Sequence, residues 1–359
     1  MAGLVTLYRL SILAIGLTLA LPNSALGAEN QVKVSGQGEQ IPLSLDVLPE
    51  DSYVLQGFQG RVRVIPDEGA QSLRVFVRPR QAESSSALMQ RHQEEWGVSL
   101  ERKSNVIQIE VQTPQSKDLW HEILAKESAA PHFDLEIRAP LRPLDVHWRR
   151  GEIEVRSWSA ALSVFSHEAQ TLIVGGQGVL NIHQQLGEVR VIQREGPLDL
   201  NTFSARVRLE KLSGDIRVDN FAGQTEIFEN EGEIFLAGFE ATQKVVGGRG
   251  RIEFKHQRSP LRVENFAGDL RGESEQGEVV ASLRGEANVR VITKEAAVNL
   301  SLPGSGASVN LGSQEGAIDS PGFLRVDQMP HLRTARGRLR GGERGSVYVR
   351  TESGEIRLR

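Results

Sequence analysis

Cysteine is absent from all 359 residues. That excludes disulfides, thiolate nucleophiles and thiolate metal sites, and it leaves no cysteine behind the N-terminal leader for lipid attachment. A chain of this kind that is exported must be held by its hydrophobic core and its backbone ladder alone. An unbroken run of one charge sign is also missing. Basic and acidic residues number 42 and 46, for a formal charge of −4, and the two signs are interspersed. With the charge balanced over the chain as a whole, nucleic acid is not expected as a partner. After the leader no hydrophobic run is long enough to span a membrane, and no GPI-like tail closes the chain.

Arg9 is the only charge in the first 28 residues, and it precedes the short apolar core LSILAIGLTLAL, Leu10 to Leu21. Ala25 and Gly27 then supply small residues at −3 and −1 of a cleavage after Gly27. Residues 1–27 therefore read as a secretory signal peptide, too short in its apolar part for a membrane anchor. The mature chain carries 41 basic against 46 acidic residues, a net −5. It is expected to be exported, to the periplasm or to the cell surface and medium, with no membrane span after cleavage.

What the chain does have is a beat of nine. Stepping by nine from Gly151 lands on Gly, Ala or Ser fifteen times in succession, to Gly277. The positions two and four after each small residue are as regular: Leu180/Ile182, Val189/Val191, Val207/Leu209, Ile216/Val218 and Ile252/Phe254 are examples. Period-two alternation over about five residues is a short strand with one buried face. The small residue is expected to mark the turn, so each nonapeptide is one strand and one corner.

Two arrangements satisfy this pattern: an antiparallel meander, or a coil in which 18 residues make one rung. Phe203, Phe221 and Phe239 recur at 18, and so do the Gly-led phrases at Gly214, Gly232, Gly250 and Gly268. The two-residue Asn-Gly and Asp-Gly turns of meander hairpins are missing. The expectation is an all-β chain, a single-stranded β-solenoid (β-helix) over residues 151–318, with about 36 Å of regular coil at ~4.8 Å per rung. Residues 28–150 form a β-rich, less regular start. Two polar insertions there, Ala82 to Glu95 and Lys117 to Glu127, read as short helices. Residues 319–359 combine an irregular insertion, rich in arginine and with Pro321 and Pro330, with C-terminal cap strands from GSVYVRTESGEIRLR.

Three segments resemble a bacterial family of unknown function named "putative adhesin": the entry strand GFQGRVRVI from Gly57, the junction of DLEIRAP with GEIEV, and the close TESGEIRLR. The resemblance covers most of Gly57 to Arg359. It implies a single-stranded β-helix and an envelope location. It carries over no functional residue, because that family has no established catalytic motif.

GGRGRIEFK (Gly247 to Lys255) and GGQGVLNIH (Gly175 to His183) nearly fit the calcium-binding β-roll nonapeptide, but the ligand slot for Asp holds Ile252 and Leu180. Acids just after the small residue (Glu152, Glu188, Asp215, Glu233, Asp269, Glu278, Glu355) could form a stripe for metal or cationic sugar. Arg206, Arg251, Gln224 and Pro260 interrupt the series, and a solvated face is the better reading. His121-Glu122 and His167-Glu168 lack a second His at +4 for a zinc helix, and GxSxG is missing. Leu302 to Ser308 resembles a phosphate loop in composition only, without its Lys. Trp96, Trp120, Trp148 and Trp158 read as core filling rather than a sugar platform.

No catalytic, cofactor-binding or metal-ligating residue is therefore expected, and no cofactor. The expected function is that of an exported, non-catalytic scaffold, an adhesin or envelope binding protein whose partner is an envelope protein or glycan. A polysaccharide-active enzyme on a β-helix is the alternative, and an accessory subunit of an envelope-sensing system a further one. Three or more outward carboxylates in one groove would favour the enzyme, and an exposed aromatic or apolar patch the binder.

Overall fold

The computed structural model describes residues 30–33, 41–80, 95–113, 132–302, 306–340 and 344–359. The expected leader and the two expected short helices (all but Glu95) lie outside the described residues.

The N-terminal part contributes β1 (Asn30–Lys33), β2 (Ile41–Asp46), β3 (Ser52–Pro66), β4 (Ser72–Arg80), β5 (Gly97–Lys103), β6 (Val106–Gln112) and β7 (His132–Ala139). The coil follows with β8 (Leu144–Arg156), β9 (Leu162–Val174), β10 (Leu180–Ile192), β11 (Leu198–Glu210), β12 (Ile216–Phe228), β13 (Glu231–Val246), β14 (Arg249–His256) and β15 (Leu261–Ser274). Next come β16 (Val279–Arg284), β17 (Asn288–Thr293) and β18 (Val298–Ser301). The C-terminal part holds β19 (Ala307–Ser313), β20 (Ile318–Asp319), β21 (Arg325–Met329), β22 (Leu332–Leu339), β23 (Gly345–Thr351) and β24 (Ile356–Leu358).

Strands β8 to β15 pair in parallel, each residue opposite the one 18 positions on, as in Leu180 against Leu198 and Val189 against Val207. The chain is a β-solenoid, and the antiparallel meander is ruled out for this region. Alternation explains why. Leu180, Ile182, Val189 and Val191 are wholly buried, while Asn181 and Arg190, within each pair, point away from the core. Parallel stacking at a fixed offset then aligns like side chains into columns: Leu144, Leu162, Leu180, Leu198, Ile216, Ile234, Ile252 and Leu270 form one of them. Leu270 next meets Val289, and Val279 meets Val298, an offset of 19 that fits the one-residue slip visible in the sequence.

The small residues divide into two classes, and only one lies where the sequence pointed. Ala160, Gly178, Gly196 and Gly214 lie in irregular arcs between strands. Gly151, Ala169, Gly187, Ala205, Gly223 and Ala241 lie inside the long strands, where the ribbon bends without breaking. They are small because rungs touch there: a Cβ on Gly187 would sit 2.2 Å from the carbonyl oxygen of Ala169. The sharp corner falls six residues later, at Ser157, Gly175, Gln193, Lys211, Glu229, Gly247 and Asn265, all left-handed with φ between 50° and 70°. Five of these seven are not glycine, so composition hides the corner.

Both ends depart from sequential stacking. At the N-terminus, β3 lies between β8 on one side and β6 and β7 on the other, parallel to all three. Antiparallel layers finish that end, β5 and β1 beyond β6, and β4 and β2 beyond β7. At the other end the C-terminal strands, expected as a cap, are interior. β23 pairs with β17 on one edge and β19 on the other, and β24 likewise joins β18 to β20. The cap is the irregular segment, where β22 pairs antiparallel with β19 and β21 with β22. Such antiparallel layers blunt a parallel edge that would otherwise invite further strands.

Inside the bend a polar column replaces the apolar one. Gln184 donates to the carbonyls of Ala169 (2.8 Å) and Leu186 (2.9 Å) and accepts from Ser166 (3.0 Å) and Thr171 (2.7 Å). Asn220, His256, Ser274 and Thr293 occupy the same column in later rungs. At the bend, carbonyls turn off the ladder, and buried amides and hydroxyls supply the missing partners.

Candidate binding surfaces

Most outward carboxylates sit among basic side chains at neighbouring positions. Glu152 bridges Arg61 at 3.2 Å, Glu233 bridges Arg251 at 2.9 Å and Glu355 bridges Arg357 at 2.8 Å. This is the solvated face expected from the interrupted series. Surface pairs of this kind contribute roughly 0–1 kcal/mol each and leave the carboxylates in water.

One stretch is more organised. Asp199, Asp215, Glu233 and Glu253, from four successive rungs, line a shallow groove of about 410 Å³ together with Val179, Pro197, Arg217 and Phe235. Asp215 accepts the Glu233 N–H at 3.1 Å, and Asn201 donates to Asp199 at 3.0 Å. Arg217 donates to Asp219 at 3.1 Å and lies over the Phe235 ring at 4.5 Å. Asp215, Glu233 and Glu253 are exposed, and Asp199 is half-buried.

The second surface is aromatic. Phe203, Phe221 and Phe239 stack face to face at 5.2 and 4.9 Å with 7° between ring planes. His147, Phe165 and His183 form a matching stack at 4.7 and 5.1 Å. Six successive rungs, β8 to β13, thus each set one ring on the outer side of the bend. Phe203 and Phe221 remain 58% and 46% exposed. Arg258 covers the end of the stack, 4.5 Å from the Phe239 centroid. The ring faces are spent on one another, so what meets solvent is a ridge of ring edges. The recurrence of phenylalanine at 18 was legible in the sequence. Its continuation through His147, Phe165 and His183 was not, because those residues differ in type and lie two positions earlier in the rung.

The other candidates are structural. Trp96, Trp148 and Trp158 are buried in the core, and Trp120 lies outside the described residues. Leu180 and Ile252, which hold the calcium-ligand slots, are fully buried among core side chains. His167 meets Gln185 at 2.6 Å, and among the described residues no three His, Asp or Glu side chains are grouped to hold a metal. Two buried polar groups went unnoticed in the sequence. Arg194, at 3% exposure, donates to the carbonyls of Trp158 (2.9 Å), Gln177 (3.2 Å), Gly175 and Ala160 (both 3.3 Å), and burial lowers its pKa to about 10. His256, with Nε2 2.8 Å from Gln243 Oε1, is pushed down to about 4, chiefly by burial. Both are interior fixtures, and neither reaches the groove.

No protein-family model and no curated protein matches this chain. Among solved structures, one described as "a putative cell adhesion protein from Clostridium sporogenes ATCC 15579" aligns over 89% of this chain and 99% of that one, at 11% identity and a TM-score of 0.19. No helix among the described residues is long and apolar enough to cross a membrane.

Proposed function

We propose that the protein is an exported, non-catalytic binding scaffold of the bacterial envelope, and that it binds along the outer side of its bend. The observation that carries this reading is the aromatic ridge, one ring per rung over six rungs with Phe203 and Phe221 half exposed. Two stacks of three rings, set two positions apart, leave the edges of Phe165, Phe203 and Phe221 exposed, and clustered exposed apolar groups mark interaction sites more often than single ones do. Sugars stack on ring faces, and here the faces are occupied. An elongated envelope protein that packs on ring edges therefore suits the ridge better than a glycan. Phe203→Ser with Phe221→Ser keeps the buried columns and removes the ridge. The double variant should recover the protein's partner from envelope extract about tenfold less well than wild type. Equal recovery by wild type and variant would overturn the ridge as the binding surface.

A second reading, an enzyme acting on envelope polysaccharide, is favoured by one observation: four carboxylates line a single groove. It requires that a polymer incubated with the protein be shortened, and that Asp215→Asn or Glu253→Gln abolish the shortening. Recovery of an intact polymer, or cleavage unaffected by both substitutions, rejects it.

A further inference from the structure

The C-terminal end of the coil differs in chemistry from the rest of the surface. Among the described residues β21 pairs with β22 alone, and no strand of theirs lies on its outer edge. Leu324, 4% exposed, closes the core by packing against Gly337, where a Cβ would lie 2.7 Å from its Cδ2. The residues around that plug face outward: Phe323 is 64% exposed, Val326 55% and Met329 56%. Residues 321–340 also hold five arginines against one carboxylate, Asp327, in a chain whose net charge is −4. Arg325, Arg336, Arg338 and Arg340 are all exposed.

We infer that this end of the solenoid docks on an anionic lipid surface. Phe323, Val326 and Met329 would enter the interface while the arginines meet phosphate oxygens. Met329 shares a face of the hairpin with Arg325 and Arg336, while Val326 lies on the face of Ala335. Exposed apolar and guanidinium side chains at one end of the coil are complementary to a layer that is apolar inside and negative at its face. A second copy of the chain is a poorer occupant. Pairing β21 with its symmetry mate would bring two clusters of arginine together, since Arg325 already faces Arg336 across the hairpin. The lipid reading gives the envelope proposal a surface, but it does not depend on the aromatic ridge, and the two can fail separately.

Sedimentation with vesicles tests it directly, using the mature protein. Vesicles of phosphatidylglycerol and phosphatidylethanolamine should bind it at least tenfold better than vesicles of phosphatidylcholine, and raised salt should weaken the binding. Arg336→Glu with Arg340→Glu should reduce the partition by about thirtyfold, and Phe323→Ser with Met329→Ser by about tenfold. The control Arg251→Glu, on the outer face of the coil, should change nothing. Arg336→Ala with Arg340→Ala is the milder pair should charge reversal disturb the hairpin, and wild-type circular dichroism and Tm confirm that each variant folds. Equal binding to both vesicle types, or unchanged binding by both the arginine and the apolar variants, would overturn the inference. So would a dimer in solution that Arg336→Glu dissociates while wild type ignores lipid.

Discussion

The middle of the molecule and its two ends are built from the same strand chemistry in opposite ways. From β8 to β15 each rung stacks on the rung that precedes it in the chain, and one offset of 18 governs every contact. At the ends, order in space departs from order in sequence. β3 lies between strands that come after it, and β23 and β24 fill a slot between β17/β18 and β19/β20. A repeating sequence therefore suffices to extend a coil, whereas stopping one requires contacts between segments far apart in the chain. Loop-closure entropy must be met before such contacts form. The ends are accordingly expected to be the later and weaker parts of the fold.

The largest test removes residues 345–359. This takes out β23 and β24, leaving β19 and β20 without their parallel neighbours and uncovering the edges of β17 and β18. Hydrogen exchange should show protection lost over 307–340 and kept over 144–246. Uniform loss would erase the distinction between middle and ends.

Within the middle, Arg194→Ala should cost about 3 kcal/mol or more in urea unfolding, because it orphans the carbonyls of Trp158, Gly175, Ala160 and Gln177 in two adjacent corners. A cost within a few tenths of a kcal/mol would mean that water replaces the guanidinium.

The buried His256 gives the coil a pH dependence of known sign. Its folded pKa is about 4 against an ordinary 6.5, so below pH 6.5 the unfolded chain takes up a proton that the folded chain refuses. Stability is then full above about 6.5 and falls by roughly 3 kcal/mol as pH drops to about 4. His256→Gln, which can still bond within the polar column, should flatten most of that slope. Partial burial also lowers the pKa of His147, which acts with the same sign. Equal slopes in wild type and variant would refute the assignment.

The smallest expected effect is a gain. Lys211→Gly and Glu229→Gly relieve left-handed corners at φ 55° and 54° and should each stabilise by about 0.5 kcal/mol, the relief of strain set against the entropy of glycine. Loss of stability at both sites would show that those side chains hold the corner through contacts.

How much of this was legible follows from what repeats. The nine-residue beat fixes strand length, buried face and the 18-residue rung, because every rung repeats the same constraint. The same beat does not tell the two kinds of small residue apart, since Gly187 and Gly223 are small for close rung contact inside a strand rather than for a turn. The corners at Gln193, Lys211 and Glu229 have no compositional mark, because the surrounding ladder holds a conformation their side chains do not favour. The inserted position of β23 and β24 was invisible, since TESGEIRLR reads the same in any rung. The groove and the ridge are assembled from residues 16 to 20 positions apart, so they emerge only when the register is known. Phe203, Phe221 and Phe239 were the exception because they share both type and column.

The constant offset of 18 also makes the length of the middle a discrete variable. Removing one whole rung brings residues 36 apart into contact, as Leu162 and Leu198 would meet if the rung between them were lost, and both already belong to one column. A deletion of any other size turns buried side chains outward or breaks a corner. Lineages carrying this architecture can thus lengthen or shorten it only in whole steps of about 4.8 Å, and the distance between the two capped ends is quantised.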